Sequence, residues 1–309
     1  MDVFLTGGTG FIGSYVTKAL SDAGHRVTVL ARHPRKAAGL KSLSGVRFVE
    51  GDLTDEGKIR EALEGKDACV HVALHWGEGA LSMLRHDTAS SVRLFELAAD
   101  SGVETILYTS SSSVNDWVYT DEEARRQGER CSVFEVTKGR PVTYYGASKG
   151  ATELFLNALA FQRNLRANVI RPGYTFGNPV VADGVTQADT RFRDIVHRAM
   201  GNESIEVIRN DGTQFIWAGD LARIYVAVLE SSVRDRMFFG LGSTFVPWEK
   251  VARTAIELGN STSHLHVADR GWPEKPALFD VSAIHREFGF QFDPWERIVE
   301  HLQYYLANP

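Results

Sequence analysis

Four glycines fall within seven residues in the opening MDVFLTGGTGFIGS, after a short apolar run and before a segment of helical period. Val3 to Thr6 reads as a strand and Phe11 to Ala23 as a helix. Gly8, Gly10 and Gly13 match G-x-G-x-x-G, and Gly7, Gly10 and Gly13 match G-x-x-G-x-x-G. A loop in that context turns tightly, brings backbone N–H groups up to a pyrophosphate at a helix N-terminus and packs helix closely on strand. The stretch therefore predicts a βαβ start and a dinucleotide cradle made by Gly7, Gly10, Phe11, Ile12 and Gly13.

The pattern that follows repeats this unit. Short β-branched runs at Arg26 to Ala31, Val46 to Val49, Ala68 to Ala73, Thr105 to Ser110 and Ala167 to Arg171 alternate with helical segments at Glu56 to Leu63, Ala80 to Asp100 and Tyr145 to Arg163. Nearly all-apolar strands separated by helices imply a parallel sheet covered on both faces, an α/β chain of the Rossmann type with a doubly wound sheet. Beyond Pro172 the rhythm loosens, with helices expected at Arg191 to Met200 and Asp220 to Glu230. Residues 1–172 are expected to form the dinucleotide-binding domain, with part of 213–242 returning to it, and 173–309 a smaller, discontinuous substrate lobe. Asn115 to Arg140 is polar and reads as a solvated surface loop, with an active-site flap as the alternative.

Composition narrows the partner. Lysine and arginine number 34 against 39 acids, a formal charge of −5, so the balance carries no footprint for nucleic acid or an anionic membrane. A small molecule is the expected partner. Cys69 and Cys131 are too few for a disulfide framework, and no Cys/His spacing suggests a metal site. With no signal-like leader and no long apolar run, the expected location is the cytoplasm.

The end of the second strand bears on which nicotinamide cofactor would fit. In VTVLARHPRK, Ala31 stands where an acid would meet a ribose diol, while Arg32, followed by Arg35 and Lys36, offers cations to a 2′-phosphate. NADP is expected over NAD. GDLTD places Asp52 and Leu53 after the third strand, where an adenine could be gripped.

Two later stretches suggest chemistry. In TYYGASKGATE, Tyr145 and Lys149 are four apart at a helix start and share a face; Tyr144 fits less well. A neighbouring ammonium is expected to lower the phenol pKa and ready it for proton exchange. LYTSSSSVND supplies a hydroxyl for the same substrate oxygen.

With these motifs the chain resembles the extended short-chain dehydrogenase/reductase family, the NAD(P)-dependent epimerase/dehydratase group. The resemblance rests on TGGTGFIGS, GDLTD, VHVA ending at Ala73, YTSSSSV, YYGASK and VIRPGYTFG. It implies Ser111 as the catalytic serine, with Ser110 and Ser112 one residue away, Tyr145 as general acid/base and Lys149 as holder of the nicotinamide ribose. Pro172 to Tyr174 would border the nicotinamide. Asp87 stands where many members carry asparagine; the sugar-nucleotide epimerases have asparagine in place of Tyr174 and arginine near Thr213. Their diphosphate clamp is thus incomplete here, with Arg270 left as one cationic contact and Ser112 and Tyr174 as further substrate candidates. His71, His75, Trp76 and Trp117 are further pocket candidates.

The leading expectation is hydride transfer at a hydroxyl or carbonyl carbon, as an epimerase or as a carbonyl reductase on a small non-nucleotide substrate. The competing class is a non-catalytic NAD(P)-binding regulator. A homodimer is expected, because Ala80 to Asp100 and Tyr145 to Arg163 carry more apolar residues, Leu94 and Phe155 among them, than one sheet-facing stripe requires.

Overall fold

The computed structural model describes residues 1–181 and 190–308. Seven strands form one parallel sheet: β1 (Asp2–Thr6), β2 (Arg26–Ala31), β3 (Val46–Glu50), β4 (Ala68–His71), β5 (Thr105–Thr109), β6 (Arg166–Pro172) and β7 (Arg236–Gly240), in the order β7-β6-β5-β4-β1-β2-β3. Leu5 sits between Val29 of β2 and Val70 of β4, all fully buried. Strands this apolar need cover on both faces, and they have it. On one side α1 (Phe11–Asp22) packs with a later helix, Ala218–Glu230, through Val16, Leu20, Leu221 and Tyr225. On the other, α2 (Glu56–Leu63), α3 (Ala89–Asp100) and α4 (Tyr144–Arg163) contribute Ile59, Leu94, Phe95 and Leu156.

Residues 218–240 therefore rejoin the sheet after the chain has left it. In between and beyond, α5 (Arg191–Met200), α6 (the Ala218–Glu230 helix just described), α7 (Trp248–Leu258) and α8 (Trp295–Ala307) follow in order. Three of these, α5, α7 and α8, surround a second core of Phe176, Phe192, Phe215 and Trp248. Its rings meet edge-on or tilted at centroid distances of 4.8 to 6.3 Å.

Four details differ from the sequence pattern. The fourth strand stops at His71 rather than Ala73, because the chain bends over β1, where the Ala73 N–H meets Thr6 Oγ1 at 3.4 Å. The helix expected over Ala80 to Asp100 is broken: Ala80–Met83 passes through a π turn at Leu84–Thr88 before α3 begins. The segment 115–140 is not a solvated loop. It holds helices Trp117–Thr120 and Glu122–Gln127, buries Val118 and Val133 against Phe239 and Phe279, and is pinned to the C-terminal half of the chain where Arg125 meets Asp211 at 2.6 Å and covers the Trp272 ring at 3.5 Å. Polar composition hid this because some of its charges, Arg125 and Glu135 among them, are paired with distant residues. Finally, Leu94, Phe95, Leu97 and Leu156 belong to the sheet-facing core and not to a second apolar face; Leu154, Phe155 and Phe161 remain exposed.

Candidate active site

Strand order reverses between β1 and β4, and in such sheets the crevice beyond the carboxyl ends of the reversing strands is open to a ligand. Gly7 leaves β1 at φ +73°, a conformation that a side chain resists, and a Cβ there would lie 2.4 Å from the Ala73 backbone nitrogen. A Cβ on Gly13 would lie 2.0 Å from the Gly7 carbonyl oxygen. The loop closes through Gly10 N–H to Gly7 O at 2.9 Å, and the Ser14 N–H to Gly10 O bond at 2.8 Å starts the helix. The N–H groups of Phe11, Ile12 and Gly13 precede that bond, and no side chain caps Gly10. An uncapped helix start behind a loop this bare fits a diphosphate.

Around this cradle the expected residues are unequal. Arg32 is exposed at the end of β2, and its charge reaches Asp52. Asp52 is exposed too; Oδ1 accepts the Thr54 N–H at 2.8 Å and hydroxyl at 2.5 Å, which hold its carboxyl below the usual range. Leu53 packs half-buried against the sheet-facing core. The side chains of Arg35 and Lys36 lie outside the described residues.

The chemical groups converge beside the cradle, where β5, β6 and the start of α4 meet. Thr143 caps α4 by accepting the Gly146 N–H at 3.1 Å. Tyr144 turns outward and Tyr145 inward, half-buried. Ser111, second residue after β5, accepts the Ser113 N–H at 3.1 Å, and its hydroxyl acts to lower the Tyr145 phenol. Ser110 is committed elsewhere, its hydroxyl donating to Glu153, and Ser112 sits half-buried in the same turn. Lys149 is buried, with Nζ 5.9 Å from the Tyr145 ring centroid and 3.5 Å from Asp87 Oδ2.

One electrostatic expectation is overturned. The Tyr145 phenol is pushed up, not down, first by burial and then by the Asp87 charge, with the Ser111 hydrogen bond opposing. The ammonium expected to lower it is paired with Asp87. Burial in turn pulls Lys149 below the usual ammonium value, and Asp87 resists that.

Sequence reading passed over a second buried pair. Arg171 grips Glu153 through Nε at 2.8 Å and Nη2 at 2.6 Å, and its Nη1 donates to Asn115 Oδ1 at 3.1 Å. Tyr145, Lys149 and Glu153 are spaced i, i+4, i+8, so helical spacing alone placed the acid on the catalytic face.

On the substrate side, Pro172 is buried at the end of β6. Tyr174 is half-buried among Phe215, Trp248 and Phe192, at 4.9, 5.5 and 6.0 Å. Thr213 donates to Tyr119 Oη at 3.4 Å. Arg270 is held by Glu122 of the 115–140 arm at 3.5 Å and lies 5.7 Å from the Trp272 ring, so the groups it engages do not include the Ser111 cluster. Trp76, 69% exposed, tilts over the Tyr145 ring at 5.2 Å. His71 is a core residue instead, stacked on Tyr108 at 5.7 Å. His75 pairs with His86 at 5.0 Å, and Trp117 lies under Arg140 at 5.5 Å.

A family model described as the NAD dependent epimerase/dehydratase family matches residues 3–238. A 111-residue stretch is 32% identical to the putative dihydroflavonol 4-reductase of a Synechocystis strain, covering 35% of this chain and 32% of that protein. The dTDP-4-dehydro-6-deoxy-D-allose reductase of a Streptomyces species is 28% identical over 251 residues, 76% of this chain and 74% of that protein. The matches to the first three curated relatives span 32%, 59% and 43% of those proteins' lengths. The solved UDP-glucuronic acid 4-epimerase of Bacillus cereus in complex with NAD covers 100% of this chain and 99% of its own, at a TM-score of 0.80 and 16% identity; it shares the fold.

Proposed function

The chain belongs to the NAD-dependent epimerase/dehydratase family, and from that premise we propose that it is an NAD(P)-dependent oxidoreductase acting on a hydroxyl or carbonyl carbon. The observation that carries this is the meeting of Ser111, Tyr145 and Lys149 beside an uncapped glycine cradle. Gly7, Gly10, Phe11, Ile12 and Gly13 would hold the diphosphate, with Ala73 and Pro172 bordering the rest of the cofactor and Lys149 reaching the nicotinamide ribose. The bound cofactor, when reduced, supplies a hydride. Ser111 donates a hydrogen bond to the substrate oxygen, and Tyr145 gives that oxygen its phenolic proton, so the carbonyl becomes an alcohol. Solvent then returns a proton to the phenolate.

Reduction of a small non-nucleotide carbonyl is favoured over sugar-nucleotide epimerisation. Thr213 and Tyr119 satisfy each other where a clamp arginine would stand, and Arg270 is already paired. NADP is the proposed cofactor, since Arg32 is exposed at the ribose end of the cradle with no acid at Ala31. A homodimer through the exposed faces of α4 and the Ala80–Met83 helix accords with Leu154, Phe155, Phe161 and Leu81 standing in solvent. Two free cysteines suit a reducing cytoplasm, and among the described residues no helix is long and apolar enough to cross a membrane.

The test is Tyr145→Phe, read by consumption of reduced nicotinamide with a panel of small carbonyls. Turnover should fall by roughly 10²–10⁴-fold with cofactor affinity unchanged, because the phenol moves a proton and adds little binding surface. Turnover within a few fold of the parent removes Tyr145 from the reaction.

A further inference from the structure

Asp87 is held in place from two sides. The π turn at Leu84–Thr88 adds a residue to the helical path, and such turns redirect side chains, often at functional sites. Here it turns Asp87 inward, to 2% exposure. Oδ1 accepts the His75 backbone N–H at 3.2 Å, and Oδ2 accepts the Ser148 hydroxyl at 2.9 Å and lies 3.5 Å from Lys149 Nζ.

Its backbone carbonyl is anchored as well. Ser91 donates to it at 2.7 Å, which commits the serine proton, so His71 must donate to Ser91 Oγ through Nε2 at 2.8 Å. His71 Nδ1 then accepts from Thr6 Oγ1 at 2.5 Å, and Thr6 accepts from the Ala73 N–H at 3.4 Å. His71 remains neutral in this chain, since burial pushes it down to about 3. One unbroken direction of donation thus runs from the cofactor cradle to the π turn. That chain fixes the Asp87 backbone, while the His75 N–H and the Ser148 hydroxyl fix its carboxylate beside Lys149.

The other charges near Lys149 are already spent. Glu153, one turn further along α4, is bound bidentately by Arg171. Tyr108, whose ring centroid is 5.2 Å from Nζ, is kept protonated by burial. On α3, Arg93 is paired with Glu56 and Glu96, while Arg85 and His86 of the π turn are exposed. Asp87 is left as the counter-ion of Lys149. Two opposite charges at this distance present a dipole to a third group, and a dipole's field falls off faster than that of a lone ammonium.

We propose that Asp87 is a positioning residue that cancels the charge of Lys149 at Tyr145, keeps the phenol protonated and so sets this site to give a proton to a carbonyl rather than take one from a hydroxyl. This deepens the proposed function and rests on Tyr145 as the proton-transfer group. In the favoured direction the phenolic O–H bond breaks, the substrate oxygen gains the proton and the carbonyl carbon gains the hydride. An epimerase or dehydrogenase would need the opposite bias at its first step.

The experiment is a near-ultraviolet titration of phenolate absorbance, taken as the difference between each protein and its Tyr145→Phe counterpart, with circular dichroism confirming a folded chain. Asp87→Asn removes a charge that raises the phenol, so Tyr145 should ionise lower by about one pH unit or more. Lys149→Met leaves Asp87 unopposed, so Tyr145 should ionise higher. Opposite shifts cannot come from general loosening. In Asp87→Asn the alkaline limb of the carbonyl-reduction profile should fall with the titration, because the protonated phenol is the active form. An unmoved midpoint in Asp87→Asn, or shifts of the same sign in both variants, overturns the proposal. Should Asp87→Asn fail to fold, Asp87→Ser takes its place in the same titration: a lower Tyr145 midpoint supports the proposal and an unmoved one defeats it. Opposite shifts in a protein that reduces no carbonyl would leave the tuning standing and sink the reductase reading.

Discussion

Arg32 is one exposed side chain on which the proposed preference for NADP rests. A charge-assisted hydrogen bond to a 2′-phosphate contributes roughly 1.5 to 3 kcal/mol, about tenfold to a hundredfold in affinity. Arg32→Ala should therefore weaken NADPH binding by that factor and NADH binding by much less, as read by titration of the two nucleotides. Equal losses would make Arg32 a stacking residue. Single residues divide sharply in how legible they were. Tyr145 and Lys149 announce themselves by spacing, and Ser111 by its place after a strand. Ser110 could be set aside only when its hydroxyl was seen to donate to Glu153. Asp87 looked like a substitution of unknown effect until its distance from Lys149 was fixed.

Elements matter through how closely they approach. The start of α4 rests on the serine turn so tightly that a Cβ on Gly146 would lie 2.0 Å from the Ser113 carbonyl oxygen. Helix and turn together set the contact between Ser111 and Tyr145. Gly146→Ala should push the helix start away, lowering stability by about 1–3 kcal/mol and turnover by more than tenfold, while leaving nucleotide affinity intact because the cradle lies on another element. Thermal unfolding and steady-state kinetics with a nucleotide titration check it; unchanged turnover would show that Ser111 and Tyr145 find each other without this contact. The sequence marked α4 by its period but not this approach. The π turn was equally silent, because one added residue in a long apolar-rich helix barely disturbs the pattern.

At the scale of the whole molecule, exposed apolar surface separates assembly from folding. Phe155 is 54% exposed on α4 and Leu94 is 1% exposed on α3, though both helices looked broadly apolar in sequence. Phe155→Asp should give a folded monomer from a parent that sediments as a dimer at micromolar concentration. Leu94→Asp should instead cost the fold, because it buries a charge with no partner. A parent that sediments as a monomer throughout would remove the dimer.

The glycine loop, the alternation of strand and helix, and the Tyr145–Lys149 spacing are properties of short stretches of chain. Backbone freedom and periodicity are local, so the sequence by itself determined a doubly wound α/β sheet, its glycine loop and the shared face of Tyr145 and Lys149. Tertiary structure decided what depends on residues far apart in the chain. β7 joins the sheet beside β6 across some sixty residues, the 115–140 arm finds Asp211 and Trp272 in the second lobe, and Asp87 meets Lys149 across two helices. Burial of Tyr145, with the Asp87 charge adding to it, reversed the sign of an electrostatic argument. The sequence can place a cation near a phenol, but only packing shows whether another charge has already neutralised it.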